Sequence, residues 1–496
     1  MVMKRLLFIC TLMSLFFCSS CIERTIVVEQ QLNEEASIYP DYKEVTIPAN
    51  IAPLNISLIN LNDAQLILEG ESGESFQIAS EKGFFDIPQA KWSELLNKNK
   101  GKKIKLTVCK QVEGKWSALT PFYIFVAQEP IDKYIAYRLI PPDYELWNKM
   151  GIYQRNLETF EESTIYENTI GDYNCANCHS FQNGDPTHFL FHTRETHPGT
   201  LVFNNGHIEK LNTKTSETIS FLVYPYWHPN GRFVVFSVNS TRQAFHANNL
   251  NRVEVYDSAS DVVVYDTEKH QVMSCDLLKA DSVFETFPSF SADGKTIYFC
   301  SAKAVNPMPY KYRDVHYDLC KIDFNAETGE FGTQVDTLYR AADRGKSVSL
   351  PRESPDGKYI TFVLHEYGNF SIWHKDADLY TINLNTKEAY PFKEANSDNV
   401  ESYHSWSRNS KWMVFSSRRD DGLYTRPYIC YIDDEGNAHK AFMLPQHNPK
   451  KYYQDLMLSY NIPEFITNKV VVNKNSIEKM LKNEPGINIS YKNSNQ

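Results

Sequence analysis

The sequence lacks the run of basic residues that nucleic-acid-binding domains carry. Its 496 residues include 51 Lys and Arg against 61 Asp and Glu, which gives a formal net charge of -10. Beyond the N-terminal segment, no Lys/Arg block could follow a phosphate backbone. We therefore expect no nucleic-acid partner. The length indicates two or three domains rather than one.

The usual sequence signatures of catalytic sites are also missing. There is no Gly-x-Ser-x-Gly elbow, and so no sign of an attached hydrolase domain of the prolyl-peptidase type. There is no P-loop, and no Gly-x-Gly-x-x-Gly turn opens a helix after a strand. We predict no catalytic residue, and we rank an enzymatic activity below a binding function.

The apolar run at the N terminus is too short to span a membrane comfortably. It covers residues 6–17, follows the basic pair Lys4 and Arg5, and is typical of the apolar region of a signal peptide. It leads into Cys18-Ser19-Ser20-Cys21, which resembles a bacterial lipobox in which Cys18 replaces the usual Leu. The alternative is an ordinary secretory signal that is cleaved nearby.

The lipobox predicts how the protein is attached and where it lies. Residues 1–20 would be a signal peptide, and acyl chains on the Cys21 thiol would hold the protein on a membrane. Residues 21–40 are polar and predict a tether. We expect a protein of the bacterial cell envelope, with the outer membrane favoured and the domains either periplasmic or surface-facing.

Cysteine is too sparse for a disulfide scaffold. Of the ten cysteines, three belong to the signal segment and two to a motif described below. Five others are spread along the chain: Cys109, Cys275, Cys300, Cys320 and Cys430. Since five is odd, at least one is free or pairs between chains.

Residues 41–130 read as a small β domain. Apolar and polar residues alternate through residues 103–108 and again through 122–126, which is typical of half-buried strands. Residues 90–96 predict one short helix. A β-sandwich is the natural arrangement. Residues 131–200 show weak periodicity, and we interpret them as an irregular connector.

A repeat appears from about residue 201. Four copies align at residues 227–236, 290–299, 353–362 and 406–415. Each has a tight turn followed by an apolar run, with Gly231, Gly294 and Gly357 at the turn and Ser410 in the fourth copy. These copies resemble the WD40-like repeats of TolB-type propellers, which implies one four-stranded sheet per repeat. We expect an all-β fold with a propeller of about six blades over residues 201–467. Residues 468–496 would be a flexible tail.

Residues 175–179 read Cys-Ala-Asn-Cys-His, the pattern by which c-type haem is attached. Cys175 and Cys178 would bond to the two vinyl groups, and His179 would be the proximal ligand of the iron. Two other interpretations stay open. One is a disulfide between the two cysteines, and the other is a zinc site, although no second Cys pair completes four ligands.

A haem iron could take a second axial ligand. His192 and His197 lie shortly downstream of the motif and are the candidates we favour as distal ligands. His188, His207 and Met150 are weaker ones. The helices that enclose the haem in small cytochromes are not evident.

The order of these features resembles a group of bacterial lipoproteins labelled TolB-like or "cytochrome c biosynthesis" proteins. The resemblance spans nearly the whole chain, from the lipobox through residues 174–181 to residues 459–465. It implies haem binding. The first hypothesis is thus an envelope lipoprotein with haem c and a propeller platform for a protein or small-molecule partner. The alternative is a non-catalytic lipoprotein whose propeller binds a peptide, glycan or protein, with the two cysteines purely structural.

Overall fold

The computed structural model describes residues 25–142, 149–249 and 251–492. The predicted signal peptide and the lipidation site Cys21 lie outside the described residues. No helix among the described residues is both long and apolar enough to cross a membrane.

The N-terminal domain consists of two sheets around a shared core. A seven-stranded sheet has the path β1-β9-β8-β10-β3, with β5 on β8 and β6 on β5, and a three-stranded sheet has the order β2-β4-β7. The bounds are β1 (Gln30–Glu35), β2 (Ile38–Tyr39), β3 (Val45–Ile47), β4 (Ile56–Leu58), β5 (Gln65–Gly70), β6 (Ser75–Ala79), β7 (Phe84–Phe85), α1 (Gln89–Lys98), β8 (Lys103–Val112), β9 (Lys115–Thr120) and β10 (Phe122–Val126).

The short helix was predicted at nearly the observed place. Trp92, Leu95 and Leu96 of α1 are buried, and the Trp92 indole donates a hydrogen bond to the Ile51 carbonyl. The predicted tether is in part strand, because β1 pairs with β9 at the sheet edge. Its residues are exposed on both faces, so no alternation marked it as a strand.

The rest of the chain forms a propeller of six four-stranded antiparallel blades. Blade 1 consists of β11 (Tyr134–Ile140), β12 (Gly151–Asn156) and β13 (Glu162–Glu167), with β34 (Ser459–Ile466) as its innermost strand. The other five blades follow in chain order. They are β14 (Cys175–Phe181), β15 (His188–Arg194), β16 (Gly199–Asn204) and β17 (His207–Asn212); β18 (Leu222–Trp227), β19 (Phe233–Phe245), β20 (Val253–Asp266) and β21 (Gln271–Met273); β22 (Val283–Phe290), β23 (Thr296–Lys303), β24 (Asp318–Asn325) and β25 (Glu330–Tyr339); β26 (Ser347–Glu353), β27 (Tyr359–His365), β28 (Asp378–Asn383) and β29 (Ala389–Pro391); and β30 (Glu401–Trp406), β31 (Trp412–Ser417), β32 (Arg426–Tyr431) and β33 (Phe442–Met443).

The six innermost strands close a ring around a central channel. Each first strand contacts the first strand of the next blade, and β34 contacts both β30 and β14. Because β34 completes blade 1 from the far end of the chain, the ring is closed by hydrogen bonds between β34 and β11. The all-β propeller fold, with six blades, is confirmed.

The repeated turn joins the first and second strands of a blade. Gly231, Gly294 and Gly357 adopt left-handed backbone angles, and Ser410 does so in the fourth copy with φ 60°. In the second copy the Asp293 carboxylate accepts hydrogen bonds from the Ser291 hydroxyl and the Lys295 amide. The turn chemistry thus explains why the repeat is visible in the sequence.

The segment predicted as an irregular connector is instead strand. It supplies β11–β13 and the whole of the first two strands of blade 2. All six residues of β12 are buried, including Gln154 and Arg155, because blades pack on both faces of the strand. Burial on both faces removes the period-two alternation on which the prediction relied.

The predicted flexible tail is also structured over residues 468–492. Helix α3 (Lys474–Asn483) buries Ile477 and Leu481, and it follows α2 (Pro449–Asp455), which precedes β34. Two short strands, β35 (Ile487–Asn488) and β36 (Ser490–Tyr491), add to the outer edges of blades 2 and 3. We call residues 474–491 the strap. Single 3₁₀ turns occupy Asn168–Gly171, Gln182–Gly184, Asp276–Leu278, Tyr312–Asp314, Ala342–Arg344 and Ser371–Trp373.

Candidate functional site

Each innermost strand carries a β-bulge at the same height in the channel. The strand register shifts there in all six blades. One residue per bulge has a left-handed backbone with φ between 49° and 56°: Cys178, Tyr224, Phe287, Leu350, Tyr403 and Ile462. We call these six residues the bulge ring. A bulge redirects the side chains around it, so the ring changes which residues face the channel.

The second half of the Cys-x-x-Cys-His motif coincides with one of these bulges. Cys178 belongs to the bulge ring, and His179 directly follows it. The residue after the ring member is proline in four other blades and histidine in the fifth: Pro225, Pro288, Pro351, Pro463 and His404. In this fold His179 therefore occupies a repeated position of the propeller.

A cavity of about 370 Å³ occupies the channel beyond the bulge ring, toward the ends of the innermost strands. Leu350, Tyr403 and Ile462 of the ring form its inner end. Its walls combine aromatic and polar side chains, among them His179, Tyr226, Arg352, His404, Trp406 and Glu464. The volume is in the range of pockets that hold small molecules.

Two tryptophans of the sequence repeat hold the cavity walls in place. The Trp227 indole donates a hydrogen bond of 3.1 Å to the Ser180 carbonyl in the preceding blade. Trp406 makes the equivalent bond of 3.2 Å to the Arg352 carbonyl. Each bond joins neighbouring innermost strands and fixes the backbone of a residue that lines the cavity.

Four ionisable residues besides the histidines and Tyr side chains line the cavity: Arg352, Glu353, Arg408 and Glu464. Burial raises the pKa of Glu464 to about 8, while the Phe181 amide, which donates to this carboxyl at 3.0 Å, and the charge of Arg352 act in the opposite direction. The carboxyl therefore carries a proton at neutral pH. His179 Nε2 lies 4.0 Å from Glu464 Oε2, and burial lowers the pKa of His179 to about 3, so that this ring is neutral.

His404 on β30 is the counterpart of His179 on β14, and the two strands flank β34 of blade 1. The Nε2 of His404 donates to the Thr361 carbonyl at 3.0 Å, and among the described residues its Nδ1 has no hydrogen-bond partner. Burial, reinforced by the charge of Arg352, lowers the pKa of His404 to about 3. Both histidines thus present neutral polar rings.

The two motif cysteines do not face this cavity. Cys175 and Cys178 are free thiols, 6% and 3% exposed, and neither is among the described residues that line the cavity. Burial raises the pKa of Cys175, against the opposing charges of Arg138 and Arg194. No cluster of three or more metal-ligating side chains occurs within residues 25–142, 149–249 and 251–492, and so the zinc interpretation gains no support there.

The proposed distal ligands have other partners. His192 is buried on β15, with Nδ1 2.6 Å from the Thr200 hydroxyl, and it lies opposite Asn177 in the strand pair. His197 lies in the following hairpin turn, with Nε2 2.9 Å from the Asp172 carboxylate. Met150 is fully buried and accepts a hydrogen bond from the Ala176 amide.

The weaker candidates also lie elsewhere. His188 stacks edge-on against Trp227, and His207 is exposed at the start of β17.

These positions do not fit a haem bonded to both sulfurs. Attachment requires the two thiols and the histidine to face one porphyrin, but here only His179 faces the cavity while the thiols are enclosed in a paired strand. Haem attachment therefore stays a prediction from the motif.

The sequence contained a signal for two cavity residues, Arg352 and Tyr226, that were not predicted as site residues. Arg352 and Tyr226 each stand immediately before an aligned repeat copy, as do Ser289 and Ser405. Extending the repeat alignment by one position toward the N terminus would have identified this ring of channel residues. Glu464 lies in β34, which carries no repeat turn.

No protein-family model matches the chain, and neither does any curated protein. Among solved structures, it is similar to a periplasmic gluconolactonase of Pseudomonas aeruginosa, with 10% identity and a TM-score of 0.36 over 66% of this chain and 99% of that one. It is also similar to prolyl oligopeptidase B of Galerina marginata, with 10% identity and a TM-score of 0.36 over 63% and 44%. A third similar structure is dipeptidyl peptidase 4 of Porphyromonas gingivalis, with 12% identity and a TM-score of 0.30 over 62% of this chain and 46% of that one. Likeness at this level implies nothing about activity, and the propeller assignment rests on the strand pairing.

Proposed function

We propose that this protein is a non-catalytic binding protein of the bacterial cell envelope, anchored through Cys21, whose propeller holds a ligand in its central cavity. The observation that supports the proposal is the cavity itself. It is enclosed at one end by the bulge ring, it has aromatic walls, and it contains an arginine, a protonated carboxyl and two neutral histidines. Polar groups that converge between aromatic walls can fix the orientation of a small molecule and provide specificity.

The same chemistry argues for binding rather than turnover. No serine or cysteine nucleophile is paired with a histidine among the described cavity residues, because His404 donates to a backbone carbonyl and Cys178 points elsewhere. The two acidic residues that line the cavity, Glu353 and Glu464, both have raised pKa values, chiefly through burial.

Native mass spectrometry of the protein isolated from its own membrane fraction tests the proposal. We expect a non-covalent adduct of small-molecule mass that is lost in the cavity-filling variant Ser405→Trp. The control Ser216→Trp introduces the same side chain at an exposed loop position and should retain the adduct. An adduct that survives Ser405→Trp, or the absence of any adduct from all three proteins, would refute binding in this cavity.

A further inference from the structure

Arg352 is a positive charge without a protein counter-ion. Its Nη1 donates to the neighbouring Pro351 carbonyl at 2.7 Å, and among the described residues the guanidinium makes no ion pair and no other hydrogen bond. The guanidinium carbon Cζ of Arg352 lies 4.8 Å from the centre of the Tyr226 ring, and this contact holds the guanidinium in position. Burial lowers the pKa of Arg352, because loss of solvent disfavours the charged form. The side chain is half-buried, and a charge withdrawn from water in this way is usually paired.

The carboxyl that could neutralise Arg352 does not do so at neutral pH. Glu464 is protonated there, and it forms no ion pair with Arg352. The Arg352 charge is therefore uncompensated, and two donor groups of its guanidinium fork, Nη2 and Nε, are left for a ligand. A planar carboxylate matches that fork, and such pairs are frequently bidentate.

The remaining groups select a singly charged anion. A dianion such as phosphate would place a second negative charge beside Glu353 and Glu464. Both histidines are neutral, and the other cation that lines the cavity, Arg408, is exposed to solvent, which screens its charge. A carboxylate brings one charge only, and the Glu464 proton can be donated to it. The aromatic walls of Trp227, Trp406 and Phe290 suit an apolar or ring-bearing body behind the charge.

We infer that the central cavity binds a carboxylate monoanion with an aromatic or apolar body, through a bidentate contact with Arg352. The acid is either a free small molecule or the C terminus of a peptide chain, since both present the same group at the open end of the channel. This inference rests on the proposed binding function and adds the chemical class of its ligand.

Isothermal titration of the full-length protein with N-acetylphenylalanine and with its amide is the experiment. We expect the acid to bind and the amide to bind roughly thirtyfold or more weakly, as for loss of one partner of a buried charge pair. The variant Arg352→Met should bind the acid more weakly by a similar factor. Arg340→Met, the same change at an exposed position, should leave the affinity unchanged. Tripeptides ending in Phe, with free and amidated C termini, distinguish the sources: binding of the acid alone indicates a free small molecule, and equal or tighter binding of the free tripeptide indicates a chain end.

Thermal unfolding separates a binding role for Arg352 from a structural one. Because Arg352→Met removes an unpaired, half-buried charge, it should leave the unfolding temperature unchanged or raise it. Equal affinity for acid and amide, no binding of either acid, or an Arg352→Met variant that binds normally would overturn the inference. A native adduct that is lost in Ser405→Trp but is neutral or cationic would overturn the carboxylate class and leave the binding function standing.

Discussion

Replacing Glu464 by Gln should change how the stability of the protein depends on pH. Folding raises the pKa of this carboxyl from 4.5 to about 8, so the folded state binds the proton more tightly than the unfolded chain does. Its contribution to stability is therefore most favourable at low pH and is lost as the pH rises from about 4.5 toward 8. Glutamine keeps the shape of the protonated carboxyl and does not titrate.

The structure sets the size of the effect. The Glu464 side chain is 20% exposed, so the shift is not strongly screened by solvent. Between pH 6 and pH 8 the free energy of unfolding of Glu464→Gln, relative to that of the parent protein, should rise by about 2 kcal/mol. The groups that face Glu464 and could alter this value are His179, Arg352 and Glu353.

Urea unfolding at several pH values, followed by tryptophan fluorescence, measures this difference. Burial also raises the pKa of Asp257 to about 7 and of Glu285 to about 8, but both groups are present in parent and variant, and their contributions cancel. The control Glu435→Gln, at an exposed turn, should follow the parent at every pH. Parallel curves for Glu464→Gln and the parent would refute a protonated Glu464 in the cavity.

Three further outcomes test the fold around the site. Trp406→Phe removes the indole hydrogen bond to the Arg352 carbonyl, so it should lower the free energy of unfolding by about 1 kcal/mol and weaken binding of the acid. An unchanged affinity would show that other contacts hold the cavity wall at Arg352. Leu481→Ala should cost about 2–5 kcal/mol, because the strap helix buries this side chain fully, and a loss below 0.5 kcal/mol would contradict a packed strap. Of the seven described cysteines only Cys275 is partly exposed, so in the native protein a thiol reagent should modify it first, and fast modification of Cys175 or Cys178 would contradict their burial.

The repeat predicted the propeller because its signal is local. A turn with Asp293 and Gly294 fixes its own hydrogen bonds within six residues, and such turns recur once per blade in four blades. In blade 1 no such turn can join the first and second strands, because β34 and β11 are not consecutive in the chain. Its innermost strand comes from residues 459–466, more than 300 positions from β11, so no local pattern joins them.

The motif at residues 175–179 shows the opposite case. The spacing of Cys175, Cys178 and His179 is local, but the chemistry that it predicts requires a conformation that presents all three side chains to one face. The tertiary fold places the segment in a paired strand with a bulge at Cys178 instead. His179 was predicted as the proximal haem ligand, and in the structure it lines the channel cavity. Arg352 was not identified, because only the closed ring of blades places its charge inside the channel.

The proposed binding site requires residues 175–179 to form part of an innermost propeller strand rather than a haem-attachment segment. The most direct measurement is the intact mass and absorption spectrum of the mature protein produced in a host with haem-attachment machinery. We expect the mass of the unmodified polypeptide, apart from lipid, and no Soret band. A mass raised by one haem, and lost when Cys175 and Cys178 are both replaced by alanine, would contradict it.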